Sequence, residues 1–313
     1  MYANEKVENF QLLPERINSK YKVINSLDES YKFCLDWMSV HSKSFFFASR
    51  FLSDDQRKSV AALYAFCRLT DDIVDEAAEE KSVQEINADL DNLKQIVVNL
   101  SNGYTSTNPI LHAFGDTIKK HRIPIEYMHE LIEGVRMDLN KSEYYTEDEL
   151  DLYMYRVAST VGLMMTTIFI SNPASRILAR AADLGKAMQL TNILRDIKED
   201  YNKGRIYLPK ETRNLYGVTK TDFEKTNISN NLTALIRYET ERARSYYKRA
   251  DLGIEELPPS AAYTIKVASR VYGEILNEIK RRNYQILRQR AVVSKFRKII
   301  LALKVRLAFI GKI

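Results

Sequence analysis

The chain is poor in residues that interrupt secondary structure, with ten Gly and seven Pro in 313 residues. Long elements are therefore expected, because these two residues are the strongest local breakers. Cysteine is nearly absent. Cys34 and Cys67 are too few for a disulfide framework or a thiolate metal set, and read as two small core residues in a reduced, cytoplasmic setting. No uninterrupted apolar run reaches about 18 residues, which argues against a bilayer-spanning helix. Met1–Lys6 has no basic stretch leading into an apolar one, so a secretory signal is not expected. Strand-like alternation, internal repeats and low-complexity segments are also missing. So is a glycine-rich strand–turn–helix fingerprint, and no nicotinamide cofactor is expected.

One further absence is local. From Lys280 to Ile313 there is no Asp or Glu, against six Arg and five Lys. That stretch carries +11, which leaves −5 for residues 1–279 within the net charge of +6. Phe296, Ile299, Ile300, Leu303, Leu307 and Ile310 recur at helical spacing among these cations. The pattern is that of a basic amphipathic helix suited to an anionic membrane surface. A terminal helix packed on the body with solvated charges is the alternative. No nucleic-acid motif accompanies the basic tail, and nucleic-acid binding is not expected.

What is present is 45% apolar residues, enough for a sizeable core, in segments of helical period. An all-α fold is expected, a single domain with helices around a central apolar cavity. Residues 1–25 are polar, 26–293 are expected to form the body, and 294–313 the C-terminal helix of the same domain. Helices are expected from near Asp28 to Met38, capped by Ser26 or Asp28, and from Ser53 or Asp54 into the first acidic motif. Others cover about 82–100, 109–121, Pro124–Leu139, a long helix from Thr146 to Asn172, 174–201, 228–252, 259–290 and 294–310. His41–Phe45 reads as a break and 202–218 as a loop. Thr146 with Glu149 has the capping-box pattern.

Two acidic motifs carry the chemistry. The first is Arg68-Leu-Thr-Asp71-Asp72-Ile-Val-Asp75-Glu76, and the second runs from Gln189 through Asn192, Arg195 and Asp196 to Asp200. Residues three or four apart share a helix face. Arg68, Asp71, Asp72 and Asp75 thus form one stripe, and Gln189, Asn192, Asp196 and Asp200 another. Both sit in runs of Leu, Ile, Val and Ala, where acids are costly unless a cation meets them. Two such stripes facing each other would suit Mg2+ ions, which combine a few carboxylates with water and phosphate oxygens, and a polyphosphate. Arg68 and Arg195 can bind diphosphate or pair with the aspartates. Lys203-Gly204-Arg205 follows the second motif and can close over a phosphate. Metal held there would draw electrons toward a leaving diphosphate. An allylic diphosphate would leave a carbocation that needs dry, π-rich walls, and the chain has 19 Tyr and 12 Phe. Tyr64 lies one turn before Arg68.

The order of these blocks resembles the squalene and phytoene synthases, most closely the bacterial phytoene synthases. The matching blocks are His41-Ser42-Lys43-Ser44-Phe45, the Asp71–Asp75 motif with Arg68, Gly134–Leu139, Tyr153–Gly162, and Gln189 through Pro209. Ser269–Tyr272 and Arg290 match more loosely. Ser159 stands where the family pattern has Gly, a change that tightens local packing or trims a cavity. The resemblance implies head-to-head condensation of two geranylgeranyl diphosphates to phytoene through prephytoene diphosphate. Dehydrosqualene or squalene synthase, acting on farnesyl diphosphate, is the alternative; a non-catalytic helical assembly protein is a more distant one.

The same resemblance implies the roles of residues. Asp71, Asp72 and Asp75, and Asn192, Asp196 and Asp200, would hold Mg2+ or Mn2+. His41, Ser42, Lys43, Ser44, Arg68, Gln189, Arg195, Lys203, Arg205 and Arg290 would contact prenyl diphosphates, with capping of a helix as the other reading of His41. Tyr64, Tyr153 and Tyr272 would line the reacting centre. A monomer or weak homodimer in peripheral contact with membrane is expected.

Overall fold

The computed structural model describes Leu13, residues 20–75 and residues 81–310. Within them the architecture is all-α. The only strand-like pairing among the described residues is an isolated parallel bridge between Glu143 and Ile206. Contacts divide the chain into two compact units, Met1–Leu139 with Leu163–Pro173, and Asn140–Gly162 with Ala174–Ile313. Residues 26–293, expected from the sequence to form one body, have parts in each unit.

The first unit holds α1 (Leu27–His41), α2 (Lys43–Ser49), α3 (Asp54–Asp75), α4 (Val83–Ser101), α5 (Pro109–His121) and α6 (Ile125–Asn140). Local chemistry sets their starts. The Ser26 side chain, rather than Asp28, accepts from Glu29 N–H at α1. Ser82 and Glu85 form a capping box at α4, and Asn108 precedes Pro109 at α5. Each satisfies N–H groups that a helix start leaves unpaired. The expected break at His41–Phe45 is narrower, confined to Ser42 between two helices. In the core, Phe66 of α3 stacks on Phe114 of α5 at 4.1 Å. Leu63, Leu69 and Ile73 are fully buried on α3. That wide apolar face leaves Asp71 and Asp75 on the exposed side.

The second unit is built on α9 (Ser175–Asn202), which packs against α12 (Asn230–Ile254) and α13 (Pro259–Arg281). The long helix expected from Thr146 is not uniformly α. It comprises α7 (Glu147–Met154), a π-helical turn at Tyr155–Ser159, and α8 (Thr160–Phe169). The π-helical turn packs against α9 at close range. A Cβ on Gly185 would sit 2.5 Å from Ser159 Cα, and Ser159 Oγ donates to Ala182 O at 2.8 Å. The Ser at the position where the family pattern has Gly therefore ties two helices together. Thr146 caps α7, but Glu149 accepts from Tyr145 N–H at 2.8 Å instead of completing the box at Thr146. The expected loop 202–218 contains α10 (Lys210–Leu215), and α11 (Thr221–Glu224) follows.

The expected helix 259–290 ends early, at Arg281. Asn283 and Tyr284 adopt left-handed φ values of 49° and 63°. The Arg237 guanidinium lies 5.5 Å from the Tyr284 ring centroid. This turn redirects residues 285–294 before α14 (Lys295–Ile310) begins. A uniform helical period cannot anticipate two consecutive left-handed residues, which are unfavourable for non-glycine side chains.

Candidate active site

The first acidic stripe divides between two faces of α3. Asp72 is buried and pairs with Arg68 at 2.6 Å, one turn back. Asp71 and Asp75 are exposed, and neither makes an ion pair among the described residues. The four residues expected on one stripe are thus a structural pair beside a carboxylate pair. Desolvation, reinforced by the nearby carboxylates of Asp75 and Asp138, pushes the Asp71 carboxyl up to about 7 against the pull of Arg68. Because Asp71 reaches solvent, the like charges are the firmer part of that cause. Asp138, at the end of α6, belongs to the site's electrostatics although no role was assigned to it from sequence. Its signal was its place in the Gly134–Leu139 block. Tyr64, one turn before Arg68, stacks on Phe45 with ring centroids 6.2 Å apart. His41 stacks on Trp37 at 4.3 Å at the end of α1. Ser42 occupies the junction and Lys43 is exposed, while the Ser44 side chain and Glu76 lie outside the described residues.

The second stripe is organised by arginine. Arg195 grips Asp196 through two hydrogen bonds of 2.9 and 2.6 Å. Arg290 reaches the same carboxylate from the redirected 285–294 segment, at 2.7 and 3.0 Å. Fork-to-carboxylate pairing of this kind is strong and directional. A cavity of about 250 Å³ opens here, lined by Arg195, Asp196, Glu199, Arg288 and Arg290 among others. One turn before Asp196, Asn192 donates to Gln189 Oε1 at 3.4 Å. Its own Oδ1 is buried without a hydrogen-bond partner among the described residues. Tyr272 lies near Arg195.

Beyond Asp200 the chain turns at Gly204, whose φ of 79° suits glycine. Lys203 pairs with Glu199 at 3.0 Å on the surface, and Arg205 N–H bonds Asp200 O at 2.9 Å. The following segment is pinned rather than mobile. Ile206 N–H bonds Ser142 O at 2.8 Å and Lys210 N–H bonds Tyr144 O at 2.9 Å. Buried Arg213 pairs with Glu143 and donates to Leu208 O at 3.0 Å. Tyr153 is buried in a trio with Tyr144 and Tyr207, its ring 5.0 Å from that of Tyr207 and its hydroxyl 3.4 Å from the other hydroxyl. Tyr207 and Tyr144 were not singled out from sequence, because aromatic residues at helical or loop positions are mostly packing.

Each stripe offers oxygen donors of the kind a hard divalent cation takes. Asp71 and Asp75 lie one turn apart on the exposed face of α3, and in the second unit Asn192 Oδ1 is a buried oxygen without a hydrogen-bond partner among the described residues. Among the described residues no three acidic, His or Cys side chains gather at metal-ligand distances. Arg195 and Arg290, paired with Asp196, carry guanidinium groups of the kind that also pair with phosphate.

Residues 38–297 match the squalene/phytoene synthase family. The chain is 34% identical to a phytoene synthase of Arthrospira platensis over 284 residues, covering 87% of this chain and 91% of that one. It is 33% identical to the 15-cis-phytoene synthase of Synechococcus elongatus, covering 92% and 95%. Its structure is similar to that of a dehydrosqualene synthase solved with a ligand, with a TM-score of 0.84 at 29% identity over 91% of this chain and 98% of the other. With both acidic stripes and their arginines inside the matched span, the chain belongs to the squalene/phytoene synthase family.

Proposed function

We propose that this protein is a prenyltransferase that joins two geranylgeranyl diphosphates head to head, giving phytoene through prephytoene diphosphate. The observation that carries the reading is the pair of acidic stripes with Arg68, Arg195 and Arg290, in a chain similar over most of its length to phytoene synthases. Asp71 and Asp75 would hold divalent metal at the first stripe, with Asp72 fixing Arg68. Asn192, Asp196 and Asp200 would hold it at the second, and Mg2+ is the ion that suits these oxygen donors. A divalent metal held there would supply Lewis-acid assistance to the departure of diphosphate.

The protein's own groups do the rest. Arg195, Lys203, Arg205 and Arg290 bind diphosphate as charge-assisted donors, joined by the His41–Ser44 segment, while Gln189 orients the Asn192 amide. Ionisation of the donor leaves an allylic cation. The acceptor double bond attacks it, and loss of a proton closes a cyclopropane. A second ionisation rearranges that ring, and a second proton loss gives the conjugated triene. Tyr64, Tyr153 and Tyr272 offer π faces that stabilise positive charge without trapping it.

The dehydrosqualene synthase likeness favours one second reading, condensation of two farnesyl diphosphates. Incubation of the purified protein with Mg2+ and each prenyl diphosphate, followed by identification of the hydrocarbon, separates the two. Phytoene from the geranylgeranyl donor is expected. Product from farnesyl diphosphate alone would replace the phytoene assignment, and no hydrocarbon from either would remove the synthase reading. Repeating the assay with Mn2+ ranks the metals.

A further inference from the structure

Helix α14 has two apolar faces, and the body uses one. Leu301, Ala302 and Val305 are buried, the Tyr263 hydroxyl of α13 donates to Ala302 O at 3.1 Å, and Arg297 pairs with Glu274 of α13 at 2.8 Å. At about 100° per residue these apolar side chains occupy one side of the helix. Phe296, Ile299, Leu303 and Leu307 fall within an arc of about 80° on the opposite side. They are 73%, 49%, 54% and 69% exposed. A helix needing only to cover the body would carry one stripe. Lys295 and Arg306 run along one edge of the exposed stripe and Lys304 along the other, all three exposed.

We propose that this outer face of α14 docks the protein on the surface of an anionic phospholipid bilayer. Four large apolar side chains enter the boundary between headgroups and acyl chains, and the flanking cations meet lipid phosphates. Charge selects this occupant. The last 34 residues contain eleven cations and no acid, so a second copy laid on the same face would bring like charges together. The sixteen-residue length of α14 and its interrupting cations suit a helix lying in the interface plane.

Flotation of the full-length protein with vesicles tests this without reference to catalysis. On phosphatidylcholine vesicles containing about a third phosphatidylglycerol, the protein should float, and binding should weaken as salt rises. The triple variant Phe296→Ser, Leu303→Ser, Leu307→Ser should lower the bound fraction about tenfold with unchanged circular dichroism. A second variant, Lys295→Glu, Lys304→Glu, Arg306→Glu, should lose the preference for anionic over pure phosphatidylcholine vesicles. Wild-type flotation by the serine variant would overturn the proposal, as would equal binding of wild type to both vesicle types. So would failure of wild type to float while sedimentation shows a dimer that the serine variant lacks, which assigns the face to a second copy.

Discussion

The two acidic stripes solve opposite problems. On α3 the carboxylates of Asp71 and Asp75 make no ion pair among the described residues, and desolvation with the like charges of Asp75 and Asp138 pushes the Asp71 carboxyl up to about 7. On α9 the carboxylate of Asp196 is gripped by both Arg195 and Arg290. The first stripe is short of positive charge and ready for a cation. The second is satisfied until something draws its arginines away, and a diphosphate can do that because guanidinium pairs with phosphate as readily as with carboxylate. Asp71–Asp75 and Asn192–Asp196, each pair four residues apart, therefore differ in what they await.

The largest expected effect treats the stripes alike. Asp71→Asn and Asp196→Asn should each slow hydrocarbon formation by about 10²–10³-fold, the scale for losing one preorganised charge-stabilising contact. Far-UV circular dichroism should be unchanged, and near-normal turnover in either variant would refute its metal role. Stability should then separate them. Asp196→Asn leaves two guanidinium groups without a full partner and should lower metal-free stability by about 1–3 kcal/mol in urea titration. A stabilised Asp196→Asn would break the comparison.

Ser159→Ala removes the bond to Ala182 O outside both stripes and should cost about 1 kcal/mol with catalysis nearly intact. Equal stability would show that helix contact alone sets the spacing at Gly185. The smallest effect has the opposite sign. The Asp71 carboxyl titrates above its ordinary range in the folded state, so its contribution to stability is present in acid and is lost as pH rises through about 7. Asp71→Asn should therefore raise the metal-free melting temperature slightly above pH 7, and the gain should vanish near pH 4. Calorimetry at several pH values reads the trend, and a fall in melting temperature at high pH would contradict it. By the same proton competition, Mg2+ affinity of the wild type should weaken as pH drops below about 7.

Much of the site was legible because helical periodicity is a local property. The spacing of Asp71 to Asp75 and of Asn192 to Asp196 places each pair one turn apart wherever the helices pack. Periodicity did not separate Asp72 from Asp71, because which side of α3 faces the core depends on Phe114 and its neighbours. Nor could it show Arg290 at Asp196. The residues are 94 positions apart, and the contact depends on the left-handed turn at Asn283 and Tyr284. The pinned segment 205–210 was visible as a motif, but its pairing with residues 142–145 was not.

Sequence by itself determined the all-α class, the two acidic stripes, the family and the basic tail, since these follow from residue type and short-range spacing. Tertiary structure decided which carboxylates are paired, that Ser159 ties the π-helical turn to α9, and that α14 turns a second apolar face outward. Those outcomes depend on burial and long-range charge, which arise only when distant segments pack together.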